Sequence, residues 1–203
     1  GISVVNSSAG TDLTINAART TGYYDGIAAI NTGSGALSIT TTGTTTGETD
    51  DGIAVVNLST GTDLTVNAAT TTGYYDGIEA INNGTGALSI TTTGTTTGET
   101  DNGISVVNSS AGTDLTINAA TTTGADDGIQ ADNNGSGTLS ITTTGTTTGD
   151  TDDGIDAENY GTDLTINAAT TTGADHGINA DNNGSGALSI TAGTTTGETN
   201  EGI

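Results

Sequence analysis

The sequence predicts an all-β chain: a right-handed parallel β-helix, or β-solenoid, with three short strands in each coil of about 25 residues and about eight coils. Three observations predict it. Gly-Ile recurs at Gly1, Gly26, Gly52, Gly77, Gly103, Gly128, Gly154, Gly177 and Gly202, at intervals of 23 to 26 residues. Each interval holds three segments that alternate with period two, separated by Gly, Asn, Ser and Asp, and none has helical spacing. Threonine fills 49 of the 203 positions, and its β-branched side chain, like those of Ile and Val, favours extended backbone. So short a repeat leaves no room for a helical crossover, so each coil returns beside the last at the strand spacing of ~4.8 Å. Parallel crossovers are right-handed in nearly every case, which sets the expected hand.

Composition alone points the other way. Leu, Ile, Val and Phe make 34 of 203 residues and the formal charge is −23, a balance typical of disordered chains. That prior applies to sequences without internal order, and this one is ordered throughout. Two kinds of coil alternate. The odd coil carries Thr-Asp-Leu-Thr-(Ile/Val)-Asn-Ala, as at Thr11 to Ala17, and the even coil Gly-x-Leu-Ser-Ile-Thr, as at Gly35 to Thr40. One array therefore spans 1–203, in double repeats 1–51, 52–102, 103–153 and 154–201, the last cut to 48 residues. The losses fall before Tyr160 and near Gly193, at Gly-rich bends that tolerate them.

The first strand of each coil follows the Gly. Its inward file is Ile2 and its equivalents to Ile178, then Val4, Ala29 and their equivalents. Next comes an Asn in all eight coils: Asn6, Asn31, Asn57, Asn82, Asn108, Asn133, Asn159 and Asn182. Such a column suits a ladder of side-chain amides, each bonded to the coil above and below. Simple turn residues are the alternative. The second strand supplies Leu13, Ile15 and their equivalents to Leu188 and Ile190. The third is a Thr triplet whose middle member, from Thr20 to Thr195, faces inward and must find a carbonyl or another hydroxyl.

Several functions are excluded by what the chain lacks. With no Cys there are no disulfides and no thiolate metal sites, and the redox compartment cannot be read. One Arg and no Lys rule out a phosphate-neutralising nucleic-acid surface and a polybasic membrane patch. No apolar run approaches the ~20 residues of a membrane-spanning helix, so no direct membrane insertion is expected. The opening Gly1-Ile2-Ser3-Val4-Val5 is not a signal peptide, so any export signal is expected outside these residues. No catalytic constellation stands out. The single histidine, His176, occupies a corner position held elsewhere by Asp25, Asp51, Asp76, Asn102, Asp127, Asp153 and Glu201, and reads as a drifted corner residue.

Fifteen of the 24 acidic residues lie in the corner before each Gly-Ile. Stacked coils line them into an acidic edge, here Glu48, Asp50, Asp51, Glu99, Asp101, Asp150, Asp152 and Asp153. Clustered oxygens suit Ca²⁺, but the Gly-rich nonapeptide of calcium β-rolls is missing. A solvated edge that keeps the rod soluble, with no cofactor, is the expectation. The outward column of the first strand is uneven: Val5, Ile30, Val56, Ile81 and Val107 give way to Asp132, Glu158 and Asp181. With Tyr23-Tyr24 and Tyr74-Tyr75 in the same half, this apolar stripe is a candidate contact surface. Thr-x-Thr arrays can match ice, but along the second strand Ser38, Asn16 and their equivalents interrupt the pattern. Asn-x-Ser/Thr sequons occur, as at Asn83 and Asn134, and arise easily in such a composition.

The Gly-Ile-x-(Ala/Val)-x-Asn and Gly-Thr-Asp-Leu-Thr-Ile-Asn-Ala segments resemble the repeats of bacterial autotransporter passenger domains and related large surface adhesins, over essentially the whole chain. The resemblance implies a secreted β-helix stalk, extracellular or on the cell surface. The terminal membrane β-barrel usual in that family is absent from these residues, and Thr stands where the family commonly has an inward Val. The expected function is a non-catalytic structural rod, a segment of a longer stalk or filament, associating with itself along the rod axis or with flanking repeats. The alternative is an adhesin that binds a glycan, a cell surface or ice along its Thr/Asn face or its apolar stripe.

Overall fold

In the computed structural model, which describes residues 1–203, the Gly of each Gly-Ile pair from Gly1 to Gly177 is fixed by a close approach. A Cβ on Gly52 would lie 2.5 Å from both the Gly77 carbonyl oxygen of the next coil and Thr71 Cγ2 of its own. The same collision recurs at Gly77, against Gly103 O and Thr96 Cγ2. No glycine has positive φ, so the requirement is space and not a left-handed backbone.

The Ile that follows starts a strand. Eight such strands, Ile2–Asn6, Ile27–Asn31, Ile53–Asn57, Ile78–Asn82, Ile104–Asn108, Ile129–Asn133, Ile155–Asn159 and Ile178–Asn182, form one parallel sheet in chain order. Ile pairs with Ile and Asn with Asn at every step. The rest of each coil builds a second, 13-stranded parallel sheet. In the first five coils it has two strands per coil, as in Leu64–Ala68 and Thr70–Gly73. In the last three coils they fuse into Leu139–Gly149, Leu164–Gly173 and Leu188–Gly197, because the link between them stays extended and paired. Where an even coil meets an odd one, an extra residue makes a register shift between Thr143 and Thr146. The last coil lacks that residue and pairs with its neighbour without a shift, so the deletion near Gly193 removes a bulge and not a rung.

The apolar files line the interior. Ile53, Val55, Leu64 and Val66 are fully buried, as are their equivalents through the middle coils. Each contributes ~1.5–3 kcal/mol of burial. At the two ends the same files surface: Ile2, Val4 and Leu13 are half-buried and Leu188 is 49 % exposed. The inward threonines depart from expectation. Thr45, Thr71, Thr96, Thr122, Thr147 and Thr171 are fully buried, yet their hydroxyls, with that of Thr20, have no hydrogen-bond partner. In-register hydroxyls sit a whole coil apart, ~4.8 Å, too far to bond one another. The methyls of Thr45, Thr71, Thr96, Thr122 and Thr147 hold these side chains in place, packed against the coil-opening glycines.

Candidate functional site

Three columns of polar side chains run along the rod. In the first, Asn6 Nδ2 donates to Asn31 Oδ1 at 2.8 Å, and the bond repeats through Asn57, Asn82, Asn108, Asn133 and Asn159 to Asn182 at 2.8–3.0 Å. The second amide hydrogen caps the following turn, as from Asn57 to the Thr62 carbonyl and from Asn82 to that of Gly86. In even coils Oδ1 also accepts from an amide two residues on, such as Gly84 N at 3.1 Å. One amide thus serves ladder and turn together, and satisfies buried groups that would each cost ~1–3 kcal/mol if left unpaired.

The second column stands before Gly-Ile. Asp51 Oδ1 accepts from Asp76 N at 2.9 Å, Asp76 Oδ1 from Asn102 N at 3.0 Å, Asn102 Oδ1 from Asp127 N at 3.0 Å, Asp127 Oδ1 from Asp153 N at 2.9 Å and Asp153 Oδ1 from His176 N at 2.8 Å. The solvated acidic edge read from the sequence is therefore divided. Glu48, Glu99, Asp150 and Asp152 are exposed, Asp50 and Asp101 half-buried, and Asp51 and Asp153 buried. The buried members turn inward because a carboxylate or amide oxygen there satisfies a backbone N–H of the next coil. The signal was present in the sequence: a position held by Asp, Asn and Asp in turn selects a short side chain ending in an oxygen, not a charge.

The third column was missed altogether. Asp12, Asp63, Asp114 and Asp163 of the odd coils accept through Oδ1 from the backbone N of Ala36, Ala87, Thr138 and Ala187 of the even ones, at 2.7–2.9 Å. This bridge accounts for the alternation of Thr-Asp-Leu with Gly-Ala-Leu. A Cβ on Gly35, Gly86, Gly137 or Gly186 would lie 2.1 Å from the bridging Asp oxygen.

Burying carboxylates has an electrostatic consequence. Burial pushes Asp51, Asp76 and Asp127 up to about 7. At Asp76 the Asp101 and Asp51 charges reinforce it, while at Asp51 and Asp127 the accepted backbone hydrogen bond opposes it. Asp156, on the outer face of the first sheet, is pushed up to about 6 by burial and by Asp153 and Asp132. His176 stands at the end of the column with Nδ1 3.0 Å from Asp153 Oδ1 and 3.5 Å from Asp175 Oδ2, and the bond to Asp153 raises its basicity.

Metal-ligating atoms come within 4.8 Å of one another in three groups: Asp25, Asp50 and Asp51; Asp127, Asp152 and Asp153; and Asp153, Asp175 and His176. The first two offer hard oxygens of the kind Ca²⁺ takes, and the third adds an imidazole. Glu48, Glu99, Asp101 and Asp150 of the sequence-derived edge join none of them.

The apolar column lies outward in one register, Val5 beside Ile30, Val56, Ile81 and Val107, continuing into Asp132, Glu158 and Asp181. Val5 is 64 % and Ile30 40 % exposed, and the other three are half-buried by their neighbours. Tyr23–Tyr24 and Tyr74–Tyr75 form edge-to-face pairs with centroids 5.1 and 5.2 Å apart. The surface has two concavities, both at the ends of the stack. One is lined by Gly1, Ile2, Arg19 and Thr20, the other by Ile178, Leu188, Ile190 and Ile203. Comparison of the chain with protein families, with curated proteins and with solved structures finds no match in any of the three.

Proposed function

We propose that the chain is a non-catalytic structural rod, a segment of an extracellular stalk or filament. The observation that carries this reading is continuity. The same strand register, core files and Asn column run from the first coil to the last with no inserted loop between rungs. A solenoid built this way gains length by adding equivalent coils, each stabilised by its neighbours. The charge of −23 keeps rods apart sideways. The resemblance to passenger repeats supports placement outside the cell. Electron microscopy of native material tests the proposal: rods or filaments at the cell surface or in the medium are expected, and compact particles would refute it.

A second reading, an adhesin, is favoured by the outward apolar stripe of the first five coils, most exposed at Val5 and Ile30, and by the exposed pairs Tyr23–Tyr24 and Tyr74–Tyr75. It requires that Val56→Asp with Ile81→Asp abolish binding to a cell or glycan while rod length stays the same. Loss of assembly instead would place the stripe between rods.

A further inference from the structure

We propose that the outer face of the 13-stranded sheet is an ice-binding surface. Along the second strand, Ser and Asn interrupt the outward Thr pattern. Strand register reveals a purer array beside it. Thr21, Thr46, Thr72, Thr97, Thr123, Thr148, Thr172 and Thr196 form one unbroken outward column. Two residues upstream on the same strands, Thr44, Thr70, Thr95, Thr121, Thr146, Thr170 and Thr194 form a second. Each rung is a Thr-x-Thr whose middle Thr is buried, and Arg19 of the first coil is the one departure.

Four features fit an ordered water lattice. The spacing is fixed in both directions by the backbone, ~4.8 Å between rungs and ~6.6 Å between the two threonines of a rung, so the face repeats on the scale of ice planes and is already ordered before it meets a ligand. The face is neutral. All 24 acidic residues lie on the first sheet or at corners, and the outward positions of this sheet, Arg19 and the Ala and Gly of the links between its strands excepted, are Thr, Ser or Asn. A charge would organise its own hydration shell, whereas a hydroxyl both donates and accepts, as each lattice water does. The hydroxyls are free: the threonines that donate within the chain, such as Thr49, Thr100, Thr151 and Thr199, sit at corners. Finally, every rung sets a methyl beside each hydroxyl, so water on this face meets an apolar wall with bonding groups at lattice intervals. A crystalline polysaccharide is disfavoured because sugar rings are held by stacking on aromatics, and all five tyrosines lie off this sheet. The inference stands whether the rod is a filament segment or a monomer.

The test uses the full chain, fluorescently labelled at its N-terminal amine, in ice-affinity and thermal-hysteresis measurements. Wild type is expected to enter growing ice and to shape the crystals. Thr97→Lys with Thr123→Lys, at the centre of the array, is expected to abolish both effects with the circular dichroism spectrum and melting midpoint retained. Arg19 shows that the array's other column accepts a long cation. Ala54→Lys, outward on the opposite sheet, is expected to leave both effects intact. If the lysine pair fails to fold, Thr97→Ser with Thr123→Ser removes only methyl groups and is expected to reduce hysteresis. Exclusion of wild type from ice overturns the proposal, as does full activity in a folded array variant or equal loss in the control. Retention on crystalline cellulose or chitin in place of ice would assign the face to a polysaccharide. Dimerisation abolished by Thr97→Lys, without ice binding, would assign it to a second copy of the chain.

Discussion

Asp76→Asn is expected to stabilise the rod at neutral pH and to do nothing in acid. The carboxyl of Asp76 is buried, faces Asp101 and Asp51, and is pushed from 3.8 to about 7. A folded-state value above the unfolded one means that the native chain holds a proton which the unfolded chain releases. Stability from this group is complete below about pH 4, falls as pH rises through the interval up to about 7, and then levels off. At about 1.4 kcal/mol per unit the full cost of ionisation is ~4 kcal/mol, and solvent screening at a corner reduces it to ~2–3 kcal/mol. An amide avoids that cost without losing the bond. Asn102 shows this one coil on, where its Oδ1 accepts from Asp127 N at 3.0 Å, as Asp76 Oδ1 does from Asn102 N. Urea unfolding followed by far-ultraviolet circular dichroism, at a series of pH values, measures the difference. Asp76→Asn should gain ~2–3 kcal/mol on wild type at about pH 8 and match it at about pH 3. Asp76→Ala, which deletes the acceptor, should gain less. A gain independent of pH would refute the reasoning, as would a wild type that becomes more stable between about pH 4 and pH 7.

Other outcomes follow from the same structure. Thr96→Val removes a buried hydroxyl without a partner and keeps the methyl beside Gly77, so the unfolding midpoint should rise, by ~1–2 kcal/mol in stability. Asn82→Ala strands Asn57 Nδ2 and Asn108 Oδ1 within the rod and should cost about 3 kcal/mol, seen as an early loss of hydrogen-exchange protection around Ile78–Asn82. Sodium chloride should raise the midpoint at neutral pH by screening the corner carboxylates, and calcium at equal ionic strength should raise it no further. A calcium-specific rise lost on Asp50→Asn with Asp152→Asn would make the corner a calcium site.

Much of the architecture was legible because the repeat repeats its chemistry. Ile2, Leu13 and Asn6 each recur once per coil in the same order, and only stacked coils bring equivalents together. The fusion of strands in the last three coils was not legible, since Thr143 and Ala168 carry no mark of whether a link stays paired. The site was read less completely. Asp51 and Asp50 are adjacent and alike in sequence, yet one is buried under a backbone amide and the other half-exposed, because period two at the corner turns only one of them inward. Asp12 was invisible as a bridge because its partner, Ala36 N, is a backbone group 24 residues away. The hydroxyls of Thr45 and Thr71 defied the rule that buried polar groups are paired, because the methyl, and not the oxygen, decides their packing.

The asparagine file carries an arrow. Every Nδ2 hands its hydrogen toward the higher-numbered coil, from Asn6 to Asn31 and onward to Asn159 and Asn182. Such a file cannot be reversed one member at a time, since a flipped amide would set two donors or two acceptors face to face. The two faces of any coil are therefore chemically unlike, one offering hydrogen and the other receiving it. A newly laid coil finds its orientation dictated by the one beneath, and tiers that met like face to like face would break the file at the seam.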